Sequence, residues 1–345
     1  MKKTQSLIPL FKTFIRDTET GKRLKKNGER IKPASIANYR YVLHNLIVFS
    51  SDTDFELRVC DTSRLSQREY QSEKNYYKRF YKQFTNYLYK KGCHDNYVGS
   101  NIKTLRTFLN YLAHEKNINT GDFRKQLYVR KEEVNILVLS PEQLKFLIHD
   151  TAFVARLSPL LKRTKDVFVF GCTTGLRYSD IFLLTNKNFE LQKGQWYLKM
   201  RSQKTKTYSY IKLPEYAAHI FLTYRSKSSK TPLFTPITLF NFNKNIKALG
   251  EAAGYTERIQ TGREQQGKTT KKASQKEARF CDKMSSHMMR RTAITTLLIL
   301  GMPEHLVRKI SGHSASSASF NRYVHYAQAY IDREIDKVHE QLDKY

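Results

Sequence analysis

Between Glu73 and Tyr89 the residues Tyr76, Tyr77, Phe80, Tyr81, Phe84 and Leu88 return at intervals of three and four. A strand shows alternate residues to one face, so this spacing fits a helix with one broad aromatic stripe. Such a stripe has to be covered, and the sequence supplies partners of the same period. Leu7, Leu10, Phe11 and Phe14 form one, ahead of a polar, basic stretch from Asp17 to Lys32. Ile36, Tyr39, Leu43, Leu46 and Ile47 form another after Pro33, and Ile102, Leu105, Phe108, Leu109 and Leu112 form a third. Four amphipathic helices without a strand pattern predict a small helical bundle over residues 1–118. The aromatic stripe is its core, since residues on one helix face are placed for packing rather than for stacking on bases.

Charge limits what this bundle meets. Lys and Arg number 61 against 31 Asp and Glu, for a net charge of +30 and a pI near 9.9. That excess favours a polyanionic partner. Nucleic acid is preferred over a membrane, because no basic amphipathic lipid-binding helix and no long apolar span stands out. Lys74, Lys78, Arg79 and Lys82 accompany the aromatic stripe, and Lys103 and Arg106 point outward from the fourth helix. Singly each belongs to a solvated face; as a set they are candidate phosphate contacts. The four cysteines, Cys60, Cys93, Cys172 and Cys281, lie far apart without zinc-ligand or redox spacing, as expected of reduced thiols in the cytoplasm. The basic N-terminus lacks an apolar signal core, so export is not expected.

Residues 119–138, where the helical period lapses, are the expected linker, and 139–345 the second domain. Ser140, Pro141 and Gln143 mark a helix start. Further helices are expected at 159–172, 214–224 and 239–253. Residues 195–201 and 207–213 alternate as two strands, so the fold class is mainly α with a small antiparallel β-sheet. Residues 256–283 carry eight Lys or Arg against four Asp or Glu, including Lys271 and Lys272, and almost nothing apolar. They add nothing to a core and are either a flexible insertion or an arm that orders on DNA. Ser285 and Ser286 cap a helix over 287–300, and the tail from 327 is helical, with Tyr330, Ile331, Ile335, Val338 and Leu342 along one side, free to dock on its own domain or a neighbour.

Reactive residue types concentrate in this second half. In Thr174-Gly175-Leu176-Arg177-Tyr178-Ser179-Asp180 an arginine stands just past a glycine turn, with a carboxylate three residues on and Ser179 as a candidate cap. His287 and Arg290 share one side of a helix start, where the dipole favours a phosphate; Arg291 is the geometric alternative. Gly312-His313 and Tyr323 follow, and Lys204 and Lys206 lie between the two strands. Taken one at a time these are a surface arginine, a capping histidine, a solvated lysine and one tyrosine among 22. Together they are the reagents for attack on a phosphodiester by a phenol.

Thr-Gly-Leu-Arg-x-Ser-Asp, His-x-x-Arg, Gly-His and a tyrosine ten residues later resemble the tyrosine site-specific recombinases, or phage-type integrases. The flavour of the basic insertion and of Phe320-Asn321-Arg322-Tyr323 is most like integrases of bacterial conjugative transposons and related mobile elements. The resemblance implies a SAM-like core-binding bundle and a C-terminal catalytic domain that clamp a duplex from opposite sides. It assigns Arg177, Lys206, His287, Arg290, His313 and Tyr323 to catalysis, with Asp180 in support. Lys206, eight residues before Pro214, is preferred over Lys204 as the proton donor, and Tyr326 and Tyr330 are fallbacks for the nucleophile. Lys204, Lys271, Lys272 and Arg291 join the DNA-contact candidates. No metal and no cofactor are implied. The expected partners are double-stranded recombination sites, a homo-tetramer on synapsed DNA that is monomeric in solution, and accessory DNA-bending or directionality proteins; the expected location is the bacterial cytoplasm, on the nucleoid. A type IB topoisomerase and a catalytically inactive DNA-binding regulator are the alternatives.

Overall fold

Ser66 opens the aromatic helix by accepting from the Glu69 amide while the Glu69 carboxylate takes the Ser66 amide, a reciprocal cap that satisfies two otherwise orphan donors. The computed structural model describes residues 4–203, 207–260, 262–269 and 277–342. It divides the chain into two units, Met1–Val134 with Gly262–Gln275, and Asn135–Thr261 with Lys276–Tyr345.

The first unit holds α1 (Leu7–Glu19), α2 (Pro33–Thr53), α3 (Gln67–Lys90) and α4 (Asp95–Glu115). Phe11, Phe14, Phe49, Phe84 and Phe108 are fully buried between them, as the four-helix expectation requires. Two three-residue strands not foreseen, β1 (Thr4–Ser6) and β2 (Arg58–Cys60), pair antiparallel. Residues 119–134, expected as linker, group with this unit. A 3-10 turn at Gly121–Gln126 buries Phe123 against the Tyr77 ring at 4.7 Å, and Leu127 is buried with it. The loss of helical period there reflects a tighter turn, not a free connector.

Part of the polar insertion belongs to this unit too. Glu264–Gln265 and Lys268–Thr269 form a hairpin whose turn residues, Gln266 and Gly267, have φ of 58° and 73°, both in the region that a two-residue hairpin of matching twist requires. The insertion therefore contributes polar anchoring where apolar burial was ruled out. Arg263 grips the Glu132 carboxylate with Nε at 3.1 Å and Nη2 at 2.7 Å, and the Gln266 and Gly267 amides donate to Asp95 at 2.9 and 2.7 Å.

The second unit begins with α5 (Pro141–His149), α6 (Thr151–Arg156), α7 (Pro159–Thr174) and the short α8 (Tyr178–Ile181). Strands β3 (Phe189–Gln192), β4 (Gln195–Arg201) and β5 (Tyr208–Lys212) form an antiparallel sheet in that order; only β4 and β5 were expected. Then come α9 (Glu215–Tyr224), α10 (Leu239–Ala252), α11 (Phe280–Lys283), α12 (Ser286–Ile299), α13 (Glu304–Ser311) and α14 (Ala318–Leu342). A further strand pair, Arg258–Gln260 with Glu277–Arg279, flanks the insertion, and Phe280 just after it is buried. Helix α12 runs through the core, burying Met288, Met289, Thr292 and Ala293. A Cβ on Gly171 of α7 would come within 2.5 Å of the Met289 sulfur, so only glycine lets these helices approach so closely. Ser285 makes no side-chain cap; the Asn243 side chain takes the Ser286 amide instead, at 2.8 Å. Ser179 does not cap α8 either, because Arg177 occupies the cap position. Helix α14 starts before the expected 327, so Tyr323 lies within it. Among the described residues no helix is long and apolar enough to cross a membrane.

Candidate active site

Two left-handed residues set the frame. Gly175, at φ 65°, ends α7, and its turn delivers Arg177; Gly312, at φ 62°, ends α13, and its turn delivers His313. Arg177, His287, Arg290, His313 and Tyr323 line one cleft of about 850 Å³ together with Thr207, Tyr208, Arg308 and Lys309. The five sequence-predicted side chains thus converge although the first and last of them, Arg177 and Tyr323, stand 146 residues apart in the chain.

Arg290 is the most deeply set, only 4% exposed. It donates to the Gly175 carbonyl through Nη1 at 2.9 Å and to the Ser311 carbonyl through Nη2. It has no carboxylate ion pair among the described residues, and the charge that acts on it most is Arg177. Burial first, and then Arg177, push the Arg290 guanidinium down to about 10, while Tyr323 and Asp180 pull the other way. A buried cation whose contacts are two carbonyls and a neutral histidine ring, and which feels the charge of another arginine, is a place prepared for an anion.

Arg177 is held from behind. Its Nη1 donates to Ser202 Oγ at 3.1 Å, and Ser202 Oγ in turn donates to Asp180 Oδ2 at 3.1 Å. Asp180, fully buried, also takes the Gln203 amide at 3.2 Å, while its direct approach to Arg177 is a long 4.0 Å. The expected support by Asp180 therefore runs through Ser202, a residue that the sequence motifs did not single out.

His313 Nδ1 lies 2.8 Å from Ser311 Oγ and 3.4 Å from Arg290 Nη2. Ser311 Oγ gives its one proton to the Val307 carbonyl at 2.6 Å and so is left to accept from an Nδ1–H, whereas Arg290 can only donate and needs a bare Nδ1, so the two contacts favour different tautomers. Burial, followed by the charges of Arg290, Arg177, Arg308 and His287, pushes His313 down to about 4, which keeps the ring neutral near pH 7. His287, on the first turn of α12, is exposed. The Tyr323 ring is 6% exposed and sits edge-on to His313 with centroids 6.0 Å apart.

The alternatives separate cleanly. Arg290 rather than Arg291 lines the cleft, and Tyr326 and Tyr330 line a different groove against α5. Tyr330 donates to Glu142 at 3.0 Å, and Ile335 of the expected tail stripe is 48% exposed, while the side chains of Val338 and Leu342 lie outside the description. Lys204, Lys206, Lys271 and Lys272 also lie outside the described residues; Thr207 and Tyr208, next along the chain from Lys206, line the cleft. Of the other basic candidates, Lys78, Arg79 and Lys82 on α3 and Lys103 and Arg106 on α4 are exposed, and Lys74 is half-buried. Arg79 borders a polar groove of about 1010 Å³ with Arg58, Arg68, Gln71 and Asn75. No three His, Cys, Asp or Glu residues among those described are grouped to hold a metal ion.

No curated protein matches the chain in sequence. Its fold is similar to several solved structures. The Tn1549 transposon integrase in complex with transposon right end DNA has a TM-score of 0.58 at 16% identity, covering 95% of this chain and 99% of that one. The XerH site-specific recombinase bound to its difH substrate gives 0.59 at 14% identity, over 92% and 91%. A lambda integrase dimer bound to a COC' core site gives 0.57 at 12% identity, over 94% and 95%. The description "phage integrase family" matches residues 138–329, more than half of the sequence and the whole of the cleft just described, and the chain belongs to that family, the tyrosine recombinases.

Proposed function

We propose that the chain is a site-specific DNA recombinase that cuts and rejoins strands of duplex DNA through a 3'-phosphotyrosyl intermediate, as part of moving or inverting a genetic element. The observation that carries the reading is the buried Arg290, satisfied by carbonyls and opposed by Arg177, in the cleft that also holds Tyr323. A DNA phosphate is the anion of matching chemistry. The two planar guanidinium forks bind its nonbridging oxygens, and the charge that grows there in the transition state is met by donors already fixed in place. Neutral His313 adds one ring nitrogen to the cleft, a donor or an acceptor according to its tautomer.

The Tyr323 oxygen attacks phosphorus and the bond to the 5'-oxygen breaks. A cleft histidine takes the tyrosine proton, and Lys206, the preferred donor over Lys204, protonates the leaving 5'-oxygen. Because the phosphotyrosyl bond retains the energy of the bond that was cut, a 5'-hydroxyl from another strand reverses the step without a nucleotide cofactor. The solved DNA complexes of similar fold support duplex recombination sites as the partner. The finer proposals are a first domain that grips DNA through Lys74, Lys78, Arg79, Lys82, Lys103 and Arg106, a homo-tetramer on synapsed DNA, and accessory bending or directionality factors.

A nicked duplex that loses its short 5'-hydroxyl fragment after cleavage tests the reading, because the covalent complex then accumulates. Wild-type protein should give a denaturation-resistant DNA adduct, and Tyr323→Phe should give none. An adduct that persists in Tyr323→Phe sinks the assignment of the nucleophile.

A further inference from the structure

Arg308, on α13, ties both flanks of the turn between the second histidine and the nucleophile. Its backbone carbonyl takes the His313 amide at 3.0 Å. Its side chain, 15% exposed, reaches across the turn, donating to the Ser314 carbonyl at 3.3 Å and to Asn321 Oδ1 on α14 at 2.9 Å. The guanidinium carbon stands 3.9 Å above the Phe320 ring, a close cation–π contact. Phe320 is fully buried, lies 5.4 Å from the His313 ring and 6.2 Å from the Tyr323 ring, and precedes Tyr323 by three residues, about one helical turn. One side chain therefore fixes the first turn of α14 against the histidine loop, and Arg308 also borders the cleft.

A surface ion pair offers the plainer account, since Arg308 also meets Glu304 at 3.5 Å. That contact is long and half-exposed and contributes little. The hydrogen bonds to Asn321 and Ser314 are shorter, at 2.9 and 3.3 Å, and with the stacked Phe320 ring they lie in the turn that leads to the nucleophile, where a misplacement of about 1 Å costs a large part of the rate.

We propose that Arg308 is a positioning residue for the nucleophile, holding the Phe320 turn of α14 so that the Tyr323 phenol stays registered against His313 and the two cleft arginines. The proposal rests on the recombinase reading for its kinetic consequence, but not for its structural one.

The test compares wild type, Arg308→Ala, Arg308→Lys and Phe320→Leu by single-turnover adduct formation on the nicked duplex, by duplex affinity, and by nitration of Tyr323 read from its peptide in the mass spectrometer. Arg308→Ala should slow cleavage about 10- to 100-fold at unchanged duplex affinity and should raise Tyr323 nitration. Arg308→Lys should recover part of the rate, because an ammonium still caps the ring, and adding Phe320→Leu to Arg308→Ala should slow cleavage little further. A wild-type cleavage rate in Arg308→Ala, or a loss of rate matched by an equal loss of duplex affinity, overturns the proposal. Absence of adduct from wild type would sink the recombinase reading instead, and the nitration difference between wild type and Arg308→Ala would still decide the positioning role.

Discussion

Two buried charges in this molecule are treated in opposite ways. In the first unit the Glu132 side chain is 1% exposed, and Arg263 meets it with two nitrogens while the Glu264 amide donates at 2.7 Å. Burial pushes its carboxyl up, yet these donors outweigh it and hold the group below the ordinary carboxylate range. In the second unit Arg290 is just as deep and gets two carbonyls and a like-charged neighbour. The first arrangement is complete and serves structure. The second is left short of negative charge, and under the proposed function that deficit is what an incoming phosphate would supply.

The sharpest way to break this comparison is to neutralise each charge in turn. Arg290→Met should lower adduct formation by about 10²- to 10³-fold, the usual effect of losing a fixed donor to the developing charge. It should leave the urea midpoint unchanged or raised, because an uncompensated buried cation has been removed. A clear drop in stability would mean that Arg290 is structural. Arg263→Ala should do the reverse, leaving Glu132 buried with too few donors. Breaking such a pair costs about 3–5 kcal/mol when both partners are buried. Arg263 is 38% exposed, so about 2–3 kcal/mol is expected from urea unfolding, with cleavage by the folded fraction retained.

The smallest effect is one of pH. His313 is held at about 4 in the folded cleft against an ordinary 6.5, so between these values the unfolded chain binds a proton that the folded chain refuses. Its contribution is intact above about 6.5 and is lost as pH falls towards 4. Subtracting the pH profile of His313→Gln from that of wild type should isolate this slope, and Arg290→Met should flatten it by removing the largest of the opposing charges. A wild-type profile equal to that of His313→Gln would show that the ring is not held neutral.

How much of this was legible follows from where each signal resides. The four helices of the first unit are written in their periods, because each buries a stripe of its own residues. Strands β1 and β2, three residues each, are too short to alternate, and Phe189-Glu190-Leu191-Gln192 offers only two apolar positions. Arg177, Arg290 and His313 could be named because the motifs that carry the family resemblance, Thr-Gly-Leu-Arg-x-Ser-Asp, His-x-x-Arg and Gly-His, are short stretches of contiguous sequence. Ser202 and Arg308 could not, since a serine 25 positions from its arginine and an arginine reaching 13 positions ahead carry no pattern until the chain is folded. The insertion was misjudged for a related reason. Hydropathy reports apolar burial, and residues 262–269 dock through carboxylates and amides.

That docking bears on the order in which the protein is made. Helices α1 to α4 leave the ribosome first, but Asp95 and Glu132 wait for amides and a guanidinium encoded beyond residue 261. The leading unit therefore receives its closing piece only after most of the trailing one has been synthesised, and a fragment ending at Val134 carries Glu132 without its guanidinium and Asp95 with the Tyr89 hydroxyl but without its two backbone amides.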